Sequence, residues 1–190
     1  MKTIEKILNL FQKNPNYLTM CRIVCVPILI ILLSYPGPVL LFFSGLVFTI
    51  ASITDYLDGY YARKNGSVSN FGKIMDPLAD KLLMSTVFIM LASFGKIPPW
   101  IACVIIGREL AITGIRTVVN DRGVDISASK LGKYKTAFQI AAAIPLILHY
   151  SYLGIDMHVV GSVLIWMALF FTIWSGVDYF FRYRKYLSLS

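Results

Sequence analysis

Apolar runs of about twenty residues, the length that spans a bilayer as a helix, recur along the whole chain and constrain its fold more than any other feature. In hydrocarbon every backbone N–H and C=O must be paired within the segment, so such runs fold as helices. Six are expected: Tyr17–Tyr35, Pro38–Leu57, Ile74–Phe94, Pro99–Val119, Leu131–Tyr152 and Met157–Phe180. Composition agrees, with 57% hydrophobic residues, 15% charged and a mean hydropathy of +0.68. A soluble domain carries about 25% charge. The expected fold is an all-α integral membrane protein of six transmembrane helices.

The first run is read as a retained span and not a cleavable signal. Sixteen residues precede it, Pro15 and Asn16 among them, and no small-residue cleavage site follows. Ahead of it, "TIEKILNLFQK" puts Ile4, Ile7, Leu8 and Phe11 on one helical face and Lys6 and Lys13 elsewhere, a pattern for a short amphipathic helix on the membrane surface. Residues 1–14 are therefore expected as a juxtamembrane helix and 15–190 as a six-span bundle, together one domain. Lysine and arginine set the orientation. They gather at Lys2, Lys6 and Lys13, at Arg63, Lys64 and Lys73, at Arg122, Lys130, Lys133 and Lys135, and at Arg182, Arg184 and Lys185. The alternate loops carry almost none, Lys96 excepted, so both termini are expected in the cytoplasm. The net charge of +8 then faces the anionic inner leaflet. No separate basic domain exists to hold nucleic acid.

Several other chemistries find little footing. Cys21, Cys25 and Cys103 lie within expected spans without ligand spacing and read as packing residues. His149 and His158 flank an outer loop, far along the chain from the acidic residues. There is no Walker loop and no dinucleotide fingerprint. The sequon at Asn65 falls in a loop expected to be cytoplasmic.

What remains is "DYLDGYYARKNGSVSNFGKIMDPLAD", residues 55–80, which holds four of the ten acidic residues. A carboxylate at membrane depth costs about 2.5–3.5 kcal/mol even on lenient scales, so ionisable groups there are functional candidates. Asp55 and Asp58 are three residues apart, and Asp76 and Asp80 four, so each pair shares a helix face. Two helices with two carboxylates each make an oxygen-only site suited to Mg²⁺ or Mn²⁺. Without a cation the four would repel one another, and some would take up protons. Gly59, Ala62 and Gly72 leave room for a bulky ligand near the backbone, and Arg63 offers a forked donor to phosphate. Carboxylate-bound metal, small residues and a guanidinium together suit a nucleotide pyrophosphate.

Written D-x2-D-G-x2-A-R-x8-G-x3-D-x3-D, this stretch resembles the signature of the CDP-alcohol phosphotransferase family at all eight fixed positions. "NPNYLTMCR", "GREL" and "SKLGKYKT" are similar to bacterial members that use a phosphorylated glycerol acceptor, which carries the resemblance from Asn14 to Thr136. The resemblance implies phospholipid biosynthesis. The 1-hydroxyl of sn-glycerol 3-phosphate would attack the β-phosphorus of CDP-diacylglycerol and release CMP. It implies two Mg²⁺ or Mn²⁺ ions held by Asp55, Asp58, Asp76 and Asp80, with Asp80 also the base toward the acceptor hydroxyl. Gly59, Ala62, Arg63 and Gly72 would cradle the CDP part, and Asn16, Thr19 and Arg22 would join the substrate pocket. It further implies a homodimer in the plasma membrane with its active site facing the cytoplasm.

Arg108, Arg116, Lys133 and Lys135, with Lys130 nearby, supply a candidate pocket for an acceptor phosphate, although loop lysines also mark topology. Arg108 could instead pair with Glu109 or Asp178 as a structural bridge. The alternatives within the family are a cardiolipin synthase and a phosphatidylinositol phosphate synthase. Outside it stand a membrane prenyltransferase, which uses two separate acidic motifs, and a divalent-cation transporter, whose site lies nearer the midplane between inverted repeats.

Overall fold

The computed structural model describes residues 16–35, 37–65, 70–121, 123–124, 130–152 and 154–186. Within these, the described side chains exclude those of residues 16–18, 55–65, 70–74, 76, 130, 152 and 185. The surface helix expected at residues 1–14 lies outside the described residues. Among the latter the fold is helical: α1 (Asn16–Ser34), α2 (Pro38–Asn65), α3 (Asn70–Ser93), α4 (Pro99–Asp121), α5 (Lys130–Leu148) and α6 (Met157–Tyr183). A two-residue strand pair, β1 (Ser151–Tyr152) with β2 (Ile155–Asp156), joins α5 to α6, and a 3₁₀ turn, Arg184–Tyr186, follows α6.

Hydropathy places the helices but misses their ends. α2 continues eight residues beyond the expected Leu57, to Asn65, and so carries Asp55 through Arg63 inside one helix. α3 likewise starts at Asn70, ahead of Asp76. α5 is shorter than expected and stops at Leu148, with His149 at a φ of 28° and the strand pair taking the remainder. Two glycines end helices where the chain needs a left-handed residue. Gly95 (φ 65°) donates to Ala92 while Lys96 donates to Leu91, and Gly123 (φ 76°) donates to Asn120 while Val124 donates to Val119. Both are Schellman closures, which satisfy carbonyls that a helix end leaves unpaired. At the opposite polarity Asp156 caps α6, its Oδ1 accepting from the His158 amide at 2.8 Å.

By length and composition α6 can cross a bilayer unaided, whereas the apolar stretches Thr19–Ser34 and Pro38–Thr54 are shorter. The charges in α3 and α4 lower their hydropathy at the positions where chemistry was expected. The outward face of α6 is apolar throughout: Val159, Val163, Trp166, Phe170, Trp174, Val177 and Phe181 are exposed at steps of three or four residues. A stripe of that length exposed to water would drive aggregation, and in lipid it is solvated.

The chain divides into two compact units, one through Met90 and one from Leu91. In the first, α1 packs beside α2, the two joined through residues 35–37 and therefore antiparallel. The buried side chains of α2 are those of Leu41, Ser44, Phe48 and Ala51, stepping by three, four and three, with Gly45 buried beside them. Those of α1 are Thr19, Arg22, Leu29 and Leu33, on one face. Within this unit α3 buries Ala79, Leu83 and Val87 in one row and Met84 and Phe88 in the next.

In the second unit α5 and α6 form the main packing pair and α4 lies against α6. Small residues let the first pair approach closely: a Cβ added at Gly161 would stand 2.6 Å from Leu146 Cγ. The buried row of α6 runs Gly161, Ile165, Ala168, Thr172, Ser175 and Tyr179, and Gln139 of α5 donates to Thr172 Oγ1 at 3.2 Å across the seam.

Candidate active site

The acidic stretch belongs to the first unit, on α2 and α3. The packed stripe of α2, stepping from Leu41 to Ala51, continues by the same alternation of four and three to positions 55, 58 and 62. These are Asp55, Asp58 and Ala62. The carboxylates thus occupy the register that the core of the unit uses, one turn beyond where apolar burial ends. On α3 the row of Phe88 and Met84 leads back by fours to Asp80 and then to position 76. Asp80 is half-buried. Pro77, between the two aspartates, has no N–H to give the carbonyl four residues earlier, a local weakening of the helix ladder within the motif. The side chains of Asp55, Asp58, Gly59, Ala62, Arg63, Gly72 and Asp76 lie outside those described, so for them the structure gives helix and register.

Arg22 and Thr19 are 1% and 0% exposed on the buried face of α1. At about 1.5 Å per residue from the α1–α2 turn, Thr19 lies about 22 Å along α1 and Asp55 about 26 Å along α2. The two are level within a helical turn, and Arg22 is one turn nearer the connection. A cation removed from water to this degree requires anionic company. Its position in the unit that holds the four aspartates fits the pocket expected of Thr19 and Arg22. The side chain of Asn16 lies outside those described.

The donor set fits a hard divalent cation. It offers carboxylate oxygen only, from two helices, at spacings that keep each pair on one face. Among the described side chains, which leave out those of Asp55, Asp58 and Asp76, no three His, Cys, Asp or Glu groups converge.

The expected acceptor pocket falls in the second unit, and its four cations divide there into two kinds. Arg116 and Lys133 are exposed on α4 and α5. Arg108 and Lys135 are brought together on the carboxylate of Glu109. Arg108 Nη1 donates to Glu109 Oε1 at 2.9 Å, and Lys135 Nζ donates to the same oxygen. Arg108 Nη2 donates to Ser175 Oγ of α6 at 3.0 Å. The side chains of Lys135, Arg108 and Glu109 are 7%, 14% and 22% exposed. Arg108 thus takes Glu109 as partner and not Asp178, which pairs with Arg182 one turn on at 3.1 Å. Gly176 makes room for it: a Cβ there would come within 3.2 Å of Arg108 Cγ.

Sequence reasoning missed Ser175, Gln139 and Thr172 in this polar seam. Their signal was present, since hydroxyl and amide side chains within apolar spans bond across helices. Two further buried atoms, Arg108 Nε and Tyr179 Oη, have no hydrogen-bond partner among the described residues. Such groups are costly when empty and serve a polar ligand well. His149 and His158 flank the strand pair, far along the chain from the acidic stretch.

A model of the CDP-alcohol phosphatidyltransferase family matches residues 12–174. A Bacillus subtilis protein named CDP-diacylglycerol–glycerol-3-phosphate 3-phosphatidyltransferase is 41% identical over 188 residues, covering 93% of this chain and 97% of its own. A Rickettsia bellii protein of the same name is 38% identical over 176 residues, covering 92% and 97%. A Mycobacterium tuberculosis protein named probable phosphatidylglycerophosphate synthase is 38% identical over 170 residues, covering 88% and 79%.

Proposed function

The chain belongs to the CDP-alcohol phosphatidyltransferase family, and we propose that it moves the phosphatidyl group of CDP-diacylglycerol to sn-glycerol 3-phosphate. The products are phosphatidylglycerol phosphate and CMP, and the work is a step of phospholipid biosynthesis at a membrane. The observation that carries this reading is the continuity of the packed rows of α2 and α3 into the four aspartates. That continuity supports an anion-rich centre at the end of an apolar core, where a lipid with a nucleotide head must present its pyrophosphate.

Asp55, Asp58, Asp76 and Asp80 would hold two Mg²⁺ or Mn²⁺ ions, which when bound neutralise the pyrophosphate and polarise the attacked phosphorus. Gly59, Ala62 and Gly72 keep side chains out of the way of the nucleotide, and Arg63 gives its forked donors to phosphate oxygen. Thr19 and Arg22 close the pocket from α1. Asp80 takes the proton from the acceptor 1-hydroxyl as that oxygen bonds to the β-phosphorus and the bond to CMP breaks. A weak base suffices, because the proton becomes acidic as the new bond forms. Alignment and charge stabilisation supply most of the rate in phosphoryl transfer. Arg108, Arg116, Lys133 and Lys135 receive the acceptor phosphate through charge-assisted bonds.

In this reading the six helices all span the plasma membrane, both termini and the active site face the cytoplasm, and the enzyme is a homodimer. The apolar outer face of α6 supports the lipid setting. The lysine and arginine pattern supports the orientation. The deciding experiment is CMP release from CDP-diacylglycerol by purified protein, with glycerol 3-phosphate, phosphatidylglycerol, inositol phosphate or no acceptor. Release with glycerol 3-phosphate alone is expected. Release with another acceptor and none with glycerol 3-phosphate refutes the assignment.

A further inference from the structure

Glu109 stands among the groups that receive the acceptor, yet a carboxylate repels phosphate. Its contacts give it a different task. One oxygen, Oε1, accepts from Arg108 on its own helix and from Lys135 on α5. Arg108 is held a second time by Ser175 of α6, and its stem lies against Gly176. The carboxylate is therefore the point at which donors from two helices are tied, with the third helix bracing one of them. Lysine ends a four-carbon stem with a single compact charge and has many rotamers to lose. Buried to this degree, it needs a counter-charge to stay where it is.

We propose that Glu109 is a positioning residue for acceptor binding. It acts through Lys135 and Arg108, fixing their spacing so that the pocket is formed before glycerol 3-phosphate arrives. Pre-formed donors spare the acceptor the entropy of ordering them. This inference rests on the reading of Lys135 and Arg108 as acceptor-phosphate groups and adds a residue that never touches the substrate.

The test is steady-state kinetics of the full-length enzyme in mixed micelles, with KM measured for each substrate and kcat at saturation. Glu109→Gln keeps the size and removes the charge. It should raise the KM for glycerol 3-phosphate by roughly ten- to hundredfold, the worth of one charge-assisted bond. The KM for CDP-diacylglycerol and kcat should stay near wild type. Glu109→Asp keeps the charge but withdraws it by one methylene and should fall between. In Glu109→Gln/Lys135→Gln the KM should exceed that of Lys135→Gln alone by much less than Glu109→Gln costs in the wild type, because only Arg108, still held by Ser175, is left to position. That double variant removes a neutral pair of charges, so with Glu109→Asp it carries the same comparison if Glu109→Gln fails to fold. A wild-type or lowered KM in Glu109→Gln overturns the proposal, as do equal losses for both substrates or effects that multiply in the double variant. If Lys135→Gln raises the KM and Glu109→Gln does not, this inference alone falls. If Lys135→Gln changes nothing, the acceptor pocket falls with it.

Discussion

Gly161→Ala should loosen the hairpin of α5 and α6, which carries Lys135 on one arm and Ser175 on the other. The new methyl carbon would stand 2.6 Å from Leu146 Cγ, 2.9 Å from its Cδ2 and 3.0 Å from its backbone nitrogen. Carbon atoms in good contact sit at about 3.5–4.0 Å, so the helices must part by about 1 Å. Leu146 has no retreat, since it is fully buried and part of the obstacle is main chain. Overpacking costs about 1–3 kcal/mol, and with main chain as part of the obstacle the upper part of that range, about 2–3 kcal/mol, applies. The better helix propensity of alanine returns about 0.8–1 kcal/mol. A net loss of about 1–2 kcal/mol lowers Tm by about 2–8 °C in a chain of this size. Tryptophan fluorescence during thermal unfolding in detergent reads it. Gly107→Ala, with open space around the added carbon, is the control and should leave Tm unchanged or raise it. Leu146→Ala removes two of the three clashing atoms. In the Gly161→Ala background it should cost clearly less than in wild type, where it leaves a cavity. A wild-type Tm for Gly161→Ala, or strict additivity of the two changes, refutes the reasoning.

Asp58→Asn keeps size but removes a ligand charge, so phosphatidyl transfer should drop by more than the roughly 10- to 100-fold that losing a mere outer-shell partner costs; unchanged turnover, or full turnover in excess EDTA, rules out the metal assignment. Asp80→Asn should lower kcat by about 10²–10⁴, the range for a lost general base, while CDP-diacylglycerol still binds in an equilibrium assay. Retained turnover with lost nucleotide affinity would make Asp80 a ligand and not a base. Arg116→Ala should raise the KM for glycerol 3-phosphate roughly ten- to hundredfold, and Arg116→Lys should recover part of it, having the charge without the fork. An unchanged KM removes exposed Arg116 from the pocket.

The aspartate motif was legible because its information is local. Helical spacing of Asp55 with Asp58 and of Asp76 with Asp80 needs nothing but the chain itself. Hydropathy stopped α2 at Leu57 because it measures preference for lipid, whereas the helix runs to Asn65 on backbone pairing. It ran α5 too far for another reason: a span of about twenty residues was extended across His149, Tyr150 and Ser151, whereas His149 leaves the helical region. The bond between Glu109 and Lys135 spans 26 residues of chain. Sequence offered Arg108 two carboxylates, Glu109 and Asp178, and only packing decides between them. The contact of Gly161 with Leu146 is still less visible, since a glycine in a span carries no mark of what lies against it.

The unbroken stepping of α2 from Leu41 to Asp58 also limits how the chain can change length. Each residue turns an α-helix by about 100°, so one inserted residue at exposed Ile53 would swing everything after it by that angle against everything before. The apolar half would stay seated while the motif half faced another direction, or the reverse. Inserting about seven residues, two full turns, restores the angle but pushes the motif about 10 Å along the axis. The connection at Tyr35 and Gly37, outside both helices, carries no such angular memory and can gain or lose a residue without rotating the aspartates against the α2 core. Core and motif on this helix therefore share one angular phase, and an insertion or deletion that spares one throws out the other.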